Sequence, residues 1–186
     1  MILMRLPGRK NIALLGAFCL FFSVLEYMIP KPLPFLRIGL ANLPIMMALD
    51  ILHLRSFFVL ICIKVLGQAL ITGTLFSYIF LFSVAGTFFS AVFMYFLRRI
   101  FGRDRITFIG IGAAGAMISN AAQLILAGFL VFSENVRYIA PPFLAGGLVT
   151  GIVLGVFCEI FTKKSVWYRK QLEMMNEKNG EKSGQD

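Results

Sequence analysis

Long apolar runs separated by short polar stretches dominate the pattern of the chain. Six apolar segments can be counted, at about 11–29, 38–52, 56–74, 75–97, 106–132 and 142–162. About 20 apolar residues in a helix cross the roughly 30 Å hydrocarbon core of a bilayer. The pattern therefore predicts an all-α, polytopic membrane protein built as a six-transmembrane-helix bundle.

Two boundaries in this pattern are weakly marked. The second segment is short and contains Pro44, so we expect it to be kinked or to cross the membrane only part way. The third and fourth segments run together, and Gly73-Thr74 is the only plausible turn between them.

The third segment carries a polar stripe on an otherwise apolar helix. Lys64, Gln68 and Thr72 are spaced four residues apart and therefore share one helical face. A lysine at mid-depth costs roughly 2.5–3.5 kcal/mol on insertion scales, so it must face protein, water or a ligand. This stripe is the strongest functional signal in the sequence.

Composition supports a membrane protein and explains the charge. The chain is 59% hydrophobic with a mean hydropathy of +0.84, and only 15% of its residues are charged, against about 25% in soluble domains. The net charge of +9 comes from basic residues that flank the apolar segments, so no nucleic-acid binding is predicted.

The distribution of lysine and arginine predicts the orientation. With the N-terminus inside, twelve basic residues flank the inner ends of the segments and three flank the outer ends. The positive-inside rule then places both termini in the cytoplasm. We expect a cytoplasmic N-terminus at 1–10, a six-helix transmembrane domain at 11–162, and a polar cytoplasmic tail at 163–186, in which residues 173–186 are expected to be frayed or disordered. We expect the protein to be a multi-pass protein of the cell (cytoplasmic) membrane.

This topology gathers polar side chains in the outer half of the bundle. A loop stiffened by three prolines, 30–34, lies over them, and the inner half is nearly all apolar. Cations and amides suit an anionic or carbonyl-rich small molecule, because they supply charge and directed hydrogen bonds. The predicted substrate-binding residues are Arg37, Asn42, Lys64, Gln68, Asn120 and Gln123.

Structural roles compete with these functional ones. Amides such as Asn120 and Gln123 often tie membrane helices together, at about 0.6 kcal/mol each. Lys64 has an alternative as a buried partner of Glu26 or of a backbone carbonyl. Asp50 and Glu159 lie near inner helix ends and are expected to pair with basic neighbours rather than to relay protons.

Small residues four apart allow helix backbones to approach closely. The series Gly147, Gly151 and Gly155 is expected to pack inside the bundle. For Ala13 and Ala17 two roles remain open, which are packing inside the bundle and docking of another membrane protein.

Motifs for catalysis, metal binding and nucleotide hydrolysis are missing from the sequence. It contains no G-x-x-x-x-G-K-[ST] loop, no H-E-x-x-H, no C-x-x-C and a single histidine. Aspartates spaced to hold magnesium against a diphosphate are also absent. We therefore expect no enzymatic activity, no cofactor and no metal site, and any ATP hydrolysis must occur on other chains.

Several short stretches together resemble one bacterial family, the Gx transporter or heptaprenyl diphosphate synthase component I family, over about residues 11–162. They are RIGLANL (37–43), ITGTLFS (71–77), SVAG (83–86), SNAAQL (119–124) and the late G-x-x-T-G (147–151). That family in turn resembles the substrate-binding S-components of energy-coupling-factor (ECF) vitamin importers.

The resemblance implies a substrate-binding subunit with an outward pocket capped by the first loop. It also implies a transmembrane coupling protein and paired ABC-type ATPases on separate chains. In S-components an Ala-x-x-x-Ala on the first helix docks the coupling protein, and Ala13 and Ala17 match that motif. The substrate stays open among a flavin, a quinone or isoprenoid precursor and another vitamin-like molecule.

Two other functions compete with import by an S-component. One is a non-catalytic membrane partner of heptaprenyl diphosphate synthase in isoprenoid or quinone synthesis. The other is an autonomous secondary carrier, which the lack of a mid-depth carboxylate disfavours.

Overall fold

A computed structural model of the chain describes residues 9–29, 39–132 and 136–183. Every regular element within these residues is helical, which confirms the all-α prediction. A 3-10 turn at Leu40–Asn42 precedes α2, and a π-helical turn at Gly128–Phe132 follows α5. The helices are α1 (Arg9–Met28), α2 (Leu43–Ile51), α3 (Leu54–Thr72), α4 (Tyr78–Arg105), α5 (Phe108–Ala127), α6 (Val136–Lys164) and α7 (Val166–Ser183).

Five helices, rather than six, are long and apolar enough to cross a membrane; they are α1, α3, α4, α5 and α6. The chain is therefore a multi-pass membrane protein. The second predicted span is α2, whose nine residues cover only about 13 Å at 1.5 Å per residue. Pro44 lies in the first turn of α2, where its missing N–H costs no helical hydrogen bond. The segment is therefore too short to cross the membrane by itself, and Pro44 does not interrupt its helix.

A tight glycine turn leads into α2. Gly39 has φ +85°, a left-handed conformation that residues with a Cβ adopt at a cost. The chain then forms the 3-10 turn, so that Asn42 stands at the N-terminus of α2. All residues of α2 except Asp50 are classed as buried, which makes this short helix part of the core.

Most helix ends that carry basic residues meet at one end of the bundle. We call this the basic end and define it by Arg98, Arg103, Lys163 and Arg169. The start of α1 reaches α7 there, because Asn11 Nδ2 donates a hydrogen bond to Gln171 Oε1 at 2.7 Å. The beginning of α1 and helix α7 thus lie at the same end. That this end faces the cytoplasm stays a prediction from the positive-inside rule.

The glycine series of α6 packs against α5, as expected. A Cβ added at Gly151 would lie 2.6 Å from the Gly112 oxygen, and one at Gly155 would lie 2.6 Å from Ile109 Cα. Such distances leave no room for a side chain, so the two helix backbones are in direct contact. This pairing forms one wall of the bundle and α1 with α3 forms another.

The C-terminal region differs from the expected frayed tail, because α7 extends to Ser183. Tyr168 and Leu172 are buried, with 0% and 8% exposure, and they lie four residues apart on the same face as Met175. This face packs across the basic end of the bundle. The sequence analysis expected a frayed or disordered segment only from residue 173 onward, because the residues after Leu172 are mostly polar and lower the hydropathy there.

Candidate functional site

A buried polar cavity lies between α1, α2, α3, α4, α5 and α6. Five of the six predicted substrate-binding residues line it: Asn42, Lys64, Gln68, Asn120 and Gln123. The sixth, Arg37, lies outside the described residues, as does the proline loop at 30–34. The structure therefore brings these residues together although the first and last of them, Asn42 and Gln123, are 81 positions apart in the sequence. Their role in binding a solute stays a prediction.

Lys64 is held inside the cavity by two oxygen acceptors. Its Nζ donates to Asn42 Oδ1 at 2.9 Å and to Thr87 Oγ1 at 2.7 Å. The side chain is only 3% exposed, so these bonds replace water as the partners of its charge. Asn42 reaches Lys64 because the turn at Gly39 places it beside α3.

The two amides of α5 have different partners. Asn120 Nδ2 donates to the Phe143 carbonyl at 2.9 Å and so ties α5 to α6. Gln123 Nε2 donates to the carbonyl and the hydroxyl of Ser119, at 3.2 and 3.0 Å. Because a carbonyl can only accept, the nitrogen of Gln123 must be the atom facing Ser119, which turns its oxygen the other way. Asn120 thus has the structural role that was considered for it.

Two amide oxygens in the cavity wall have no hydrogen-bond donor. Gln68 Oε1 and Gln123 Oε1 are buried and unpaired among the described residues. A buried polar atom without a partner costs about 1–3 kcal/mol, so it is rarely retained without a use. Both oxygens belong to residues that line the same cavity. A molecule with N–H or O–H groups placed between them would satisfy both.

The sequence analysis missed part of the cavity wall. Glu26 is 1% exposed and accepts a hydrogen bond from the Ala41 backbone N–H at 3.5 Å. Helix α4 contributes Ser83, Thr87 and Ser90, which are spaced four and three residues apart and therefore share a face. That spacing was a readable signal for α4. Glu26 had been considered only as a partner of Lys64. Its place in the cavity wall could not be predicted from the sequence, because it depends on how α1 packs against the turn before α2.

The size and charge of the cavity limit what it can hold. Its enclosed free space is about 40 Å³, enough for roughly three water molecules at ~10–15 Å³ each. Met46 and Met94 also line it, and their flexible side chains allow a wall to rearrange around a larger molecule. Among the described lining residues, Lys64 and Glu26 are the charged ones, so the formal charges balance.

A second polar cluster occupies the basic end. Arg98 donates to both carboxylate oxygens of Asp50, at 2.8 Å from Nε and 2.7 Å from Nη2, and Tyr168 Oη donates to Asp50 Oδ2 at 2.9 Å. Burial and the Asp50 charge raise the pKa of Tyr168 above its usual value, so the phenol remains a donor. Glu159 pairs with Lys163 at 2.9 Å. The expected pairing of Asp50 and Glu159 with basic neighbours is confirmed.

The two alanines of α1 face away from the bundle. Ala13 and Ala17 are both exposed, and Phe21, four residues further along, is 57% exposed on the same face. Internal packing is therefore not their role in this chain. Docking to another membrane protein stays a prediction for this face.

Comparison with known proteins identifies the family. The family model described as "Heptaprenyl diphosphate synthase component I" matches residues 15–161. The chain belongs to this family. The match covers α1 to α6 and excludes α7, so the cavity lies wholly within the part that defines the family. No curated protein matches the chain, and no solved structure matches it.

The described residues contain no group of three or more histidine, cysteine or acidic side chains that could hold a metal ion. Among the three cysteines, Cys19 and Cys158 are buried and Cys62 is exposed, and all are unbridged. The chemistry that the cavity offers is therefore hydrogen bonding and charge pairing by Lys64, Glu26 and the amides.

Proposed function

We propose that the protein is the substrate-binding membrane subunit of an ATP-driven importer of the ECF type. In this proposal it captures a small molecule in the polar cavity and works with a transmembrane coupling protein and ABC-type ATPases on separate chains. The protein itself catalyses no reaction. The observation that carries the proposal is the pair of buried, unpaired amide oxygens of Gln68 and Gln123, which belong to residues lining the polar cavity.

The chemistry of the cavity narrows the class of solute. Lys64 is already bonded to Asn42 and Thr87, and the acidic Glu26 lines the same cavity. Two free acceptors require two donors. We therefore propose a small, neutral or zwitterionic molecule with N–H or O–H groups, a narrower class than the anionic or carbonyl-rich molecule that the sequence alone favoured. A vitamin-like molecule would need several hundred Å³, so its entry requires the methionine side chains and wall helices to move.

The position of the cavity supports capture rather than free conduction. Phe57 and Leu60 are buried apolar side chains of α3, and they lie on that helix between its beginning and Lys64. A hydrated solute cannot pass such side chains without a conformational change. Release toward the basic end would therefore depend on energy from partner chains, which agrees with the absence of an ATP-binding loop in this sequence.

Mass spectrometry of small molecules retained by the gently purified protein tests the proposal. Gln123→Met removes the unpaired acceptor at nearly constant volume, and Lys64→Met removes the charge. Losing a buried polar contact costs about 1–3 kcal/mol, so we expect retention to fall about tenfold or more. Gln171→Met is the matched control, because it makes the same change at a glutamine that lies outside the cavity.

The proposal would be refuted if the retained molecule were unchanged in both cavity variants while they folded and inserted normally. A fall in the Gln171→Met control would show that retention depends on general stability instead. Uptake assays with the coupling protein and ATPases present would then separate binding from transport.

The second candidate is a non-catalytic membrane partner of heptaprenyl diphosphate synthase in isoprenoid or quinone synthesis. The description of the matched family, which names a synthase component, favours it. In that case a soluble prenyl synthase should co-purify with the protein, and its activity should rise when the two are mixed. Co-purification of ATPases without any synthase would exclude this function.

A further inference from the structure

A cleft at the basic end is separate from the polar cavity. It lies where the end of α2, the end of α4 and the beginning of α7 meet, and its volume is about 270 Å³. His53, Arg98, Arg99 and Arg103 contribute to its wall. None of these residues lines the polar cavity, so the cleft is an independent site. We call it the basic cleft.

The acidic residue of the basic cleft is already neutralised. Asp50 has both oxygens bonded to Arg98, and Oδ2 also accepts from Tyr168. Arg103 Nε lies 3.7 Å from the same oxygen, too far for a hydrogen bond. At that distance Arg103 still forms an ion pair with Asp50. One carboxylate nevertheless faces the three arginines Arg98, Arg99 and Arg103, so positive charge remains in excess.

The backbone at Gly102 directs Arg103 toward the cleft. Gly102 has φ 74° and ψ 177°, a conformation that is essentially restricted to glycine. It interrupts α4 after Phe101, so that Arg103 approaches α7, with its guanidinium 5.9 Å from the centre of the Tyr168 ring. Arg99 lies within range of the Tyr95 ring, at 6.0 Å. Two guanidinium groups thus line one side of the same opening.

The surroundings of the cleft combine charge with apolar surface. Leu52, Leu172 and Met175 form part of its wall. On the adjoining outer surface of α4, Phe96 is 58% exposed and Ile100 is 73% exposed, as expected for side chains that face lipid. The part of α4 that is long and apolar enough to cross a membrane ends at Arg103, so the cleft lies at the end of that candidate span.

We propose that the basic cleft binds a phosphate group, carried either by an anionic lipid of the adjoining leaflet or by a soluble phosphate or diphosphate. Guanidinium groups bind phosphate oxygens in a bidentate manner, and basic pockets between membrane helices suit anionic headgroups. The apolar wall next to the arginines suits the beginning of an acyl or isoprenoid chain. This site is independent of the proposed function of the cavity.

Thermal unfolding of the full-length protein in detergent tests the proposal, with the midpoint followed as each probe is titrated. One arm adds phosphatidylglycerol, with phosphatidylcholine as the uncharged comparison. The other adds inorganic phosphate or diphosphate against chloride at equal ionic strength. The variants are Arg99→Gln and Arg103→Gln, and Arg55→Gln is the matched control, because Arg55 is an exposed arginine near the same end that does not line the cleft.

We expect a stabilising probe to bind wild type and Arg55→Gln equally, and to bind each cleft variant about fivefold more weakly, since a surface arginine contributes about 1 kcal/mol to such binding. Stabilisation by phosphatidylglycerol alone identifies a lipid headgroup, and stabilisation by the inorganic probes identifies a soluble phosphate. The proposal is overturned if neither probe stabilises the protein, or if all three variants respond alike.

Discussion

Replacing Arg98 by methionine should destabilise the protein strongly, because it strips Asp50 of its main partner. The side chains of Arg98 and Asp50 are 7% and 8% exposed, and two hydrogen bonds of 2.8 and 2.7 Å join them. After the change, Asp50 keeps the Tyr168 hydroxyl and a longer ion pair with Arg103, at 3.7 Å. Removing one member of a buried ion pair costs about 3–5 kcal/mol. Arg98 also donates to the Ile106 carbonyl at 2.6 Å, so a value near the upper end is expected.

A double-mutant cycle with Asp50→Asn measures the interaction itself. Equilibrium unfolding in detergent should show that Arg98→Met costs less when Asp50 is already uncharged, with a coupling of at least ~1 kcal/mol. Lys163→Met is the control. It removes the pair with Glu159, whose lysine side chain is 74% exposed, so its cost should stay below about 1 kcal/mol.

Equal stability losses for Arg98→Met and Lys163→Met would refute this reasoning. So would strictly additive effects in the cycle, since they would mean that Asp50 and Arg98 do not stabilise each other. In that case the hydrogen bond from Tyr168 to Asp50 would hold α7 against α2 without help from the ion pair.

Two further predictions concern helix contacts. Gly151→Leu should destabilise the protein by roughly 1–3 kcal/mol or more through overpacking against α5, whereas Gly146→Leu, which meets no atom within 4 Å, should leave the thermal midpoint unchanged. Ala17→Leu should reduce co-purification with the coupling protein without changing retention of the small molecule, and Val153→Leu, at a 60% exposed position of α6, is its control. Wild-type yield of the complex from the Ala17 variant would contradict the assignment of this face.

The helices that cross the membrane were largely predictable, because length and apolar composition are local properties of the sequence. The turn at Gly73 is confirmed, with φ +67° at the end of α3. The sixth apolar segment was placed at 142–162, which is later than the start of the corresponding helix α6. The helix instead begins at Val136, and the two prolines remove hydrogen bonds only near its exposed beginning.

The candidate site was predictable in its amides and its lysine, because polar residues in apolar helices are conspicuous. Its internal pairing was not. The contact of Lys64 with Thr87 depends on the rotation of α4 relative to α3, and the donation from Asn120 to the Phe143 carbonyl depends on the close approach of α5 and α6. Such contacts arise from tertiary packing, which hydropathy does not encode.

Helix α2 connects the two polar clusters of the protein. Asn42 at its beginning holds Lys64, and Asp50 near its end holds Arg98 and Tyr168. Because α2 is almost completely buried, this short helix has little freedom to bend. A shift of α2 along its axis would therefore strain the hydrogen bonds of Asn42 at one end of the helix and those of Asp50 at the other. The polar cavity and the arginine network are therefore coupled through α2, so neither can rearrange far without disturbing the other.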